Sequence, residues 1–126
     1  LPDYSRFIQM IMNDGQWAGR QYLLPATLKL MRENQLAEGV VANFPFWSMP
    51  GTVFGLGFAL KEKPSEAESA LAVNEYHWGG LMGTHSWIAP QADIAALCFT
   101  QRFPGFWHPY SHEFKRLVYE AAEIGF

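Results

Sequence analysis

Residues 76–90 read Tyr-His-Trp-Gly-Gly-Leu-Met-Gly-Thr-His-Ser-Trp-Ile-Ala-Pro, and this stretch decides the fold. In its later part, both alternating sets of positions are mainly apolar. This pattern predicts a strand over about 80–88 that is covered on both faces. Glycine at a strand start lets a ligand or another backbone approach closely, although the same residues fit a bulge or a tight turn. The stretch therefore predicts a buried strand that begins at a candidate binding edge.

Two further strands and three helices are predicted around this stretch. Residues 94–101 form a second apolar strand, and the linker 89–93 is short enough only for an antiparallel hairpin. Residues 52–61 alternate between bulky and small side chains, which predicts another strand. Apolar residues at helical spacing predict helices over about 4–14, 25–33 and 109–124.

These elements predict an α/β chain of the α+β type, with an antiparallel sheet and helices on both faces. Three strands leave the edges of the sheet unpaired, and we therefore expect that the sheet is incomplete. The missing strands would come from chain upstream of Leu1 or from a second copy. The start at Leu1, without an initiator methionine, also favours a portion of a longer polypeptide.

Composition limits the partners more than it identifies them. The 126 residues fit one domain, and 49% hydrophobic and 16% aromatic content is enough for a core. A net charge of −3 disfavours nucleic acid and anionic membranes as partners. No run of about 18 apolar residues exists, so no membrane span is expected. The single Cys98 permits no intrachain disulfide, and no signal-peptide pattern is present, which leaves the compartment open.

Five segments resemble motifs of the serine beta-lactamase-like hydrolases, which include class C beta-lactamases, penicillin-binding proteins and related esterases. Residues 78–90 are similar to the pattern H/W-G-G-x-x-G-T-x-F-W-V-D-P, with Ala89 in place of the aspartate. The other segments are DYSRFIQMIMNDG (3–15), LLPATLKLM (23–31), GLGF (55–58) and FTQ (99–101). Because the matches follow the family order, the resemblance implies that residues 1–126 are the C-terminal part of one such domain.

The resemblance also implies a site and a reaction. Trp78, Gly79 and Gly80 match the third motif of the family, on the strand beside the substrate. The backbone N–H of Leu81 would be one donor of the oxyanion hole, and such a donor is typically worth about 3 to 4 kcal/mol. Tryptophan in place of the lactamase lysine favours a small ester or amide substrate, cleaved through an acyl-enzyme. The family needs no cofactor, and by resemblance it is found in the bacterial cytoplasm or periplasm.

Two family motifs are absent from the chain. No serine is followed by lysine three residues later, so the Ser-x-x-Lys nucleophile motif is missing. No Tyr-x-Asn or Ser-x-Asn motif is present either. The nucleophile and base would therefore belong to upstream chain, and we expect the 126 residues alone to be inactive. The alternative is a non-catalytic binding or structural module that kept the fold without the catalytic motifs.

Histidines supply the remaining candidates. His85 follows the glycines on the predicted strand face that contains Leu81, so it is a candidate substrate-binding residue or a packed core histidine. His108 and His112 have the spacing of two metal ligands on a helix, but no HExxH pattern accompanies them. Helix capping and surface roles are the preferred interpretation, and we expect no metal site.

Overall fold

The computed structural model describes residues 1–44, 47–103, 105 and 108–125. Its helices are α1 (Pro2–Met12), α2 (Pro25–Met31) and α3 (Pro109–Ile124). They agree with the predicted helices to within a few residues at each end. Among the described residues, no helix combines the length and the apolar character needed to cross a bilayer.

Nine strands accompany these helices in the described part of the chain. Two short hairpins pair β1 (Gln16–Trp17) with β2 (Arg20–Gln21), and β3 (Asn43–Phe44) with β4 (Trp47–Ser48). The antiparallel main sheet has the order β5-β6-β7-β8-β9. Its strands are β5 (Thr52–Phe54), β6 (Ala59–Lys61), β7 (Glu75–Gly79), β8 (His85–Ala89) and β9 (Ile94–Cys98).

The strand predicted over about 80–88 is wrong at its start. β7 ends at Gly79 and β8 begins at His85, and the residues between them form a turn. The N–H of Gly80 donates to the carbonyl oxygen of Thr84 at 2.8 Å, which closes the hairpin. Apolar residues continue through this turn. The two-residue periodicity of a strand therefore could not reveal that the chain reverses there.

The strand predicted over 52–61 is two strands, because the chain reverses between β5 and β6. The N–H of Gly55 donates to the carbonyl oxygen of Phe58 at 2.9 Å, and Gly57 is in the left-handed region with a φ of +84°. A Cβ on Gly55 would lie 2.0 Å from the carbonyl oxygen of Met31. Glycine therefore lets this hairpin contact the C-terminal end of α2.

β9 ends at Cys98 and is shorter than the predicted strand over 94–101. Beyond it, the chain bonds to the turn after β7 instead of to a neighbouring strand. The Thr100 hydroxyl and the Arg102 N–H both donate to the carbonyl oxygen of Met82, at 3.1 and 3.0 Å. These bonds satisfy backbone groups outside the ladder, so the strand stops early.

The sheet separates two apolar clusters. The cluster on the α1 and α2 face contains Ile8, Met10, Ile11, Leu28, Phe58, Leu60, Tyr76 and Ile88. The cluster on the α3 face contains Ala72, Trp87, Ala89, Ala96 and Tyr119. Consecutive β8 residues belong to opposite clusters, as the alternation of a strand requires. The predicted α+β architecture, an antiparallel sheet with helices on both faces, is therefore confirmed.

A buried ion pair attaches α3 to β7. Glu75 is fully buried, and its Oε1 lies 2.5 Å from the Nζ of Lys115. The Tyr119 hydroxyl donates to the other carboxylate oxygen, and burial together with the Glu75 charge raises the pKa of Tyr119. Lys115 also lies over the Trp87 ring, 5.6 Å from its centroid. Because a buried carboxylate needs such partners, these contacts fix α3 against the strand that leads to the glycines.

Candidate active site

The residues predicted to form the third motif lie at the end of β7 and in the turn that follows. Gly79 is the last residue of β7, and Gly80 begins a turn that is closed when the N–H of Gly83 donates to its carbonyl oxygen at 2.9 Å. Leu81 is therefore the first central residue of this turn. It is at the tip of a hairpin and not within a strand.

The backbone conformation identifies the type of turn. Gly83 has a φ of +84°, whereas neither Leu81 nor Met82 is among the described residues with positive φ. This combination fits a type I turn followed by a left-handed glycine, a common hairpin connection. A type I turn uses the carbonyl of its first residue and the N–H of its last. The N–H of the first central residue therefore has no acceptor within the turn.

Leu81 is held in the turn through its carbonyl group. The Leu81 carbonyl oxygen accepts a hydrogen bond from the N–H of Gly105 at 3.0 Å. Within the part of the chain that the structure describes, no group accepts a hydrogen bond from the Leu81 N–H. The residue is 50% exposed. A backbone N–H in a held turn, with no acceptor among the described residues, has the hydrogen-bonding capacity that an oxyanion donor needs.

The two glycines of the motif have a structural role of their own. A Cβ on Gly79 would lie 2.9 Å from the carbonyl oxygen of Thr84, and one on Gly80 would lie 2.4 Å from its hydroxyl oxygen. The close approach to both glycines is therefore made by Thr84, the residue before β8. Of the interpretations that the sequence left open for this pair, the tight turn is confirmed.

An open cleft borders the turn. Its volume is about 1520 Å³, and Trp78, Gly79, Leu81 and His85 are among the residues that line it. Gly80 does not contribute to the lining. Trp78 is 41% exposed, and its ring meets that of Phe54 edge-on at 5.3 Å between centroids. The structure thus brings four of the predicted site residues to one cleft, while their contact with a substrate stays a prediction.

His85 lies on the α3 side of the sheet. Its Nδ1 is 3.4 Å from the Ser111 hydroxyl oxygen, and its ring centroid is 5.0 Å from that of Trp87. Because Leu81 belongs to a turn, the shared strand face expected for the two residues does not exist. Burial, with a smaller contribution from the Lys115 charge, lowers the pKa of His85 to about 4. Burial also holds the pKa of the neighbouring His77 well below 6.5.

The lowered pKa values of His77 and His85 lead us to expect that the stability of the folded chain depends on pH. Their pKa values are lower in the folded chain than the ordinary value of 6.5, so the unfolded chain binds more protons as the pH falls below about 6.5. We therefore expect the thermal midpoint to fall between pH 7.5 and 5. Burial is outweighed by hydrogen bonds from Ser65 and Lys61, which lower the pKa of Glu68 from 4.5, so protonation of this carboxylate affects stability only at lower pH. The measurement is thermal unfolding at a series of pH values.

The matched control for this dependence is a variant in which His77 and His85 are both glutamine. Glutamine keeps polar atoms at both positions but does not titrate, so most of the slope between pH 7.5 and 5 should disappear. A variant with the same slope as the wild type would show that other groups cause it.

His108 caps α3. Its Nδ1 accepts a hydrogen bond from the N–H of Tyr110 at 3.3 Å, at the first turn of the helix. The capping interpretation is therefore confirmed for this residue. In the described ranges, no group of three or more His, Cys, Asp or Glu side chains is placed to hold a metal ion.

Sequence reasoning missed the residues that hold the turn from outside. Thr100 and Tyr110 have hydroxyl oxygens 2.5 Å apart, and the Tyr110 hydroxyl also lies 3.3 Å from the carbonyl oxygen of Gly83. Thr100 lies in the FTQ segment, which gives no sign of a contact with residues 80–83, and Tyr110 lies in none of the five segments. The available signal was the second glycine of Gly-Leu-Met-Gly, which is typical of a turn and would have placed Leu81 correctly.

Comparison with known sequences finds relatives of greater length. No protein-family model matches the chain. Protein Rv1367c of Mycobacterium tuberculosis strain H37Rv and uncharacterized protein MT1414 of strain CDC 1551 are each 29% identical to it over 109 residues. The match includes 81% of this chain but only 27% of either relative. The chain therefore spans about a quarter of the length of these relatives.

Solved structures resemble nearly the whole chain. A mutant of simvastatin synthase (LovD) from Aspergillus terreus has a TM-score of 0.75 at 20% identity, over 97% of this chain and 34% of its own. A penicillin-binding protein homologue from Caulobacter crescentus has a TM-score of 0.65 at 18% identity, over 94% and 31%. A Bacteroides dorei protein assigned as a beta-lactamase has a TM-score of 0.65 at 21% identity, over 98% and 40%. The chain therefore has the beta-lactamase-like fold of the serine hydrolases that its motifs resemble, and it corresponds to a part of that fold.

Proposed function

We propose that residues 1–126 are the C-terminal part of a serine hydrolase domain that cleaves ester or amide bonds through an acyl-enzyme. In this proposal the Leu81 N–H is an oxyanion donor, while Trp78, the two glycines after it and His85 contribute to substrate binding. The nucleophile and its base lie outside this chain. The longer polypeptide that the proposal requires is called the full-length protein below.

One observation carries the proposal. The Leu81 N–H has no acceptor among the described residues, and Leu81 follows the Trp-Gly-Gly motif and lines the cleft. The resemblance of the motifs assigned the oxyanion donor to that same backbone group. Its position in a fixed turn supports the assignment, because a donor that needs no reorganisation stabilises the developing charge most effectively.

The reaction follows the usual course of acyl transfer. The oxygen of the external serine bonds to the carbonyl carbon of the substrate, and the electron pair moves to the carbonyl oxygen, which faces the Leu81 N–H. Collapse of this intermediate breaks the bond to the leaving alcohol or amine, which takes the proton that the serine lost. Water then attacks the acyl-enzyme in the same way, releasing the acid and restoring the serine.

Sheet topology supports the proposal that further chain completes the domain. β9 is an edge of the main sheet, and within the described ranges no strand pairs with its outer side. The comparisons extend to only 31–40% of the solved chains, so most of each of those proteins lies outside the matched part. We propose that upstream chain of the same polypeptide, or a second copy, supplies the partner for this edge.

The 126-residue chain alone is expected to be inactive. It contains neither Ser-x-x-Lys nor Tyr-x-Asn, so it should not hydrolyse nitrophenyl esters or nitrocefin. The measurement is turnover by the isolated chain beside turnover by the full-length protein. Labelling of any serine of the isolated chain by a fluorophosphonate would contradict the expectation.

The full-length protein tests the proposed function directly. A fluorophosphonate should label one serine outside residues 1–126, and mass spectrometry of the labelled peptide should place it in a Ser-x-x-Lys motif. If no serine is labelled and no ester or amide is cleaved, the proposal fails. That result would favour the non-catalytic binding or structural module.

A further inference from the structure

The turn that contains Leu81 is held from outside by a set of hydrogen bonds. The carbonyl oxygen of Met82 accepts from the Thr100 hydroxyl at 3.1 Å and from the Arg102 N–H at 3.0 Å. The carbonyl oxygen of Leu81 accepts from the N–H of Gly105 at 3.0 Å. Both central carbonyls of the turn are therefore bonded to the segment that follows β9.

Tyr110 connects this arrangement to α3. Its hydroxyl oxygen lies 2.5 Å from that of Thr100 and 3.3 Å from the carbonyl oxygen of Gly83. Tyr110 has one hydroxyl proton, and the short contact is satisfied when Tyr110 donates it to Thr100 while Thr100 donates to Met82. The longer contact with the carbonyl oxygen of Gly83 then receives no proton from Tyr110. Hydrogen bonds linked in this way strengthen one another.

The packing around Gly83 shows how closely the hydroxyls approach the turn. A Cβ on this residue would lie 2.0 Å from the Tyr110 hydroxyl oxygen and 2.4 Å from that of Thr100. The Cα of Gly105 would be 3.1 Å away. Gly83 is buried, so the hydroxyls occupy the space that a side chain would take.

The helix that contains Tyr110 is also bound to the strand that leads into the turn. Tyr110 is in the first turn of α3, and further along the same helix Lys115 and Tyr119 bind the buried Glu75 of β7. β7 leads directly into the Trp-Gly-Gly motif. A helix anchored to the strand before the turn thus also holds the turn itself.

We infer that Tyr110 and Thr100 are positioning residues for the oxyanion donor of Leu81. The inference rests on the proposed function and names side chains that no motif assigns to the site. Thr100 holds the Met82 carbonyl and Tyr110 holds Thr100, so the conformation of the turn, and with it the direction of the Leu81 N–H, depends on both hydroxyl groups. They act through the turn and do not touch the substrate.

Tyr110→Phe in the full-length protein tests the inference, because it removes the hydroxyl and keeps the ring. Loss of a whole oxyanion donor costs about 100- to 1000-fold in kcat, so a donor that is misdirected part of the time should cost about 10-fold. KM for nitrophenyl acetate should change little, and the thermal midpoint should shift by no more than about 4 °C. Amide hydrogen exchange at Gly83, Arg102 and Gly105 should become faster.

Three further variants make the result specific. Thr100→Val should reproduce the loss of kcat, whereas Thr100→Ser keeps a hydroxyl and should restore most of it. Tyr22→Phe is the matched control, because Tyr22 is 54% exposed and contacts Arg20 away from the turn. It should leave kcat and exchange at the turn unchanged.

The outcomes separate the two proposals. If Tyr110→Phe lowers the thermal midpoint and leaves kcat unchanged, the hydroxyl is purely structural and the inference is overturned. Unchanged exchange at the turn would overturn it as well. If the wild-type full-length protein neither cleaves esters or amides nor reacts with a fluorophosphonate, the proposed function fails and the catalytic part of the inference fails with it. Exchange rates would then decide separately whether the hydroxyls hold the turn.

Discussion

Replacing Leu81 by proline in the full-length protein is expected to lower kcat by about 100- to 1000-fold, the effect of losing one oxyanion donor. Proline has no N–H, and it is the preferred residue at the first central position of a type I turn. The Gly83 N–H still closes the turn, and the Leu81 carbonyl still accepts from Gly105. The substitution therefore removes the proposed donor while it keeps the fold. Steady-state kinetics with a nitrophenyl ester, beside thermal unfolding, measures both effects.

The control is Leu81→Ala, which shortens the side chain and keeps the N–H. We expect its kcat to stay within about threefold of the wild type, since a donor lost outright costs about 100-fold or more. Any change should appear in KM, because the exposed side chain lines the cleft. If the proline variant folds normally and turns over at the wild-type rate, Leu81 is not an oxyanion donor.

Replacing Lys115 by methionine is expected to reduce the free energy of unfolding by about 3 kcal/mol or more. Methionine fills a similar volume but leaves the Glu75 carboxylate buried without its cationic partner. Glu75 is fully buried, and the side chain of Lys115 is only 17% exposed, so water cannot replace the lost charge. The measurement is urea unfolding of the full-length protein near pH 7.

Two variants test the cause of this loss. Adding Glu75→Gln to Lys115→Met removes the uncompensated charge, so the double variant should be more stable than Lys115→Met alone. Arg116→Met, one residue along α3, breaks ion pairs to Glu113 and Glu120 that are about half exposed, so it should lose much less stability. Equal losses in Lys115→Met and Arg116→Met would contradict the buried-pair explanation.

The helices and the hairpin between β8 and β9 could be predicted because their signals are local. Apolar residues at a spacing of 3.6 define a helical face, and Ile8 and Ile11 of α1 are indeed buried. The linker over 89–93 is too short for any connection except an antiparallel one, and the structure pairs Ala89 with Ile94. Neither inference required knowledge of distant residues.

The reversals within 52–61 and 80–88 could not be predicted from alternation. A turn inserted into an apolar run preserves the period of two on both sides, so the pattern alone describes one long strand. Each turn is closed by a local hydrogen bond and is packed against chain far away in sequence. Gly55 packs against the carbonyl of Met31 at the end of α2, and Gly83 packs against hydroxyls of the segment after β9 and of α3.

The sequence by itself determined the fold class, the position of the helices, and the motif that ends in Trp-Gly-Gly before Leu81. These features follow from local periodicity and from residues that are adjacent in the chain. Only the tertiary structure decided that His85 faces α3 and that Tyr110 and Thr100 hold the turn. Such contacts join residues between 10 and 27 positions apart. Their formation depends on how helices pack across a sheet, which no short stretch of sequence contains.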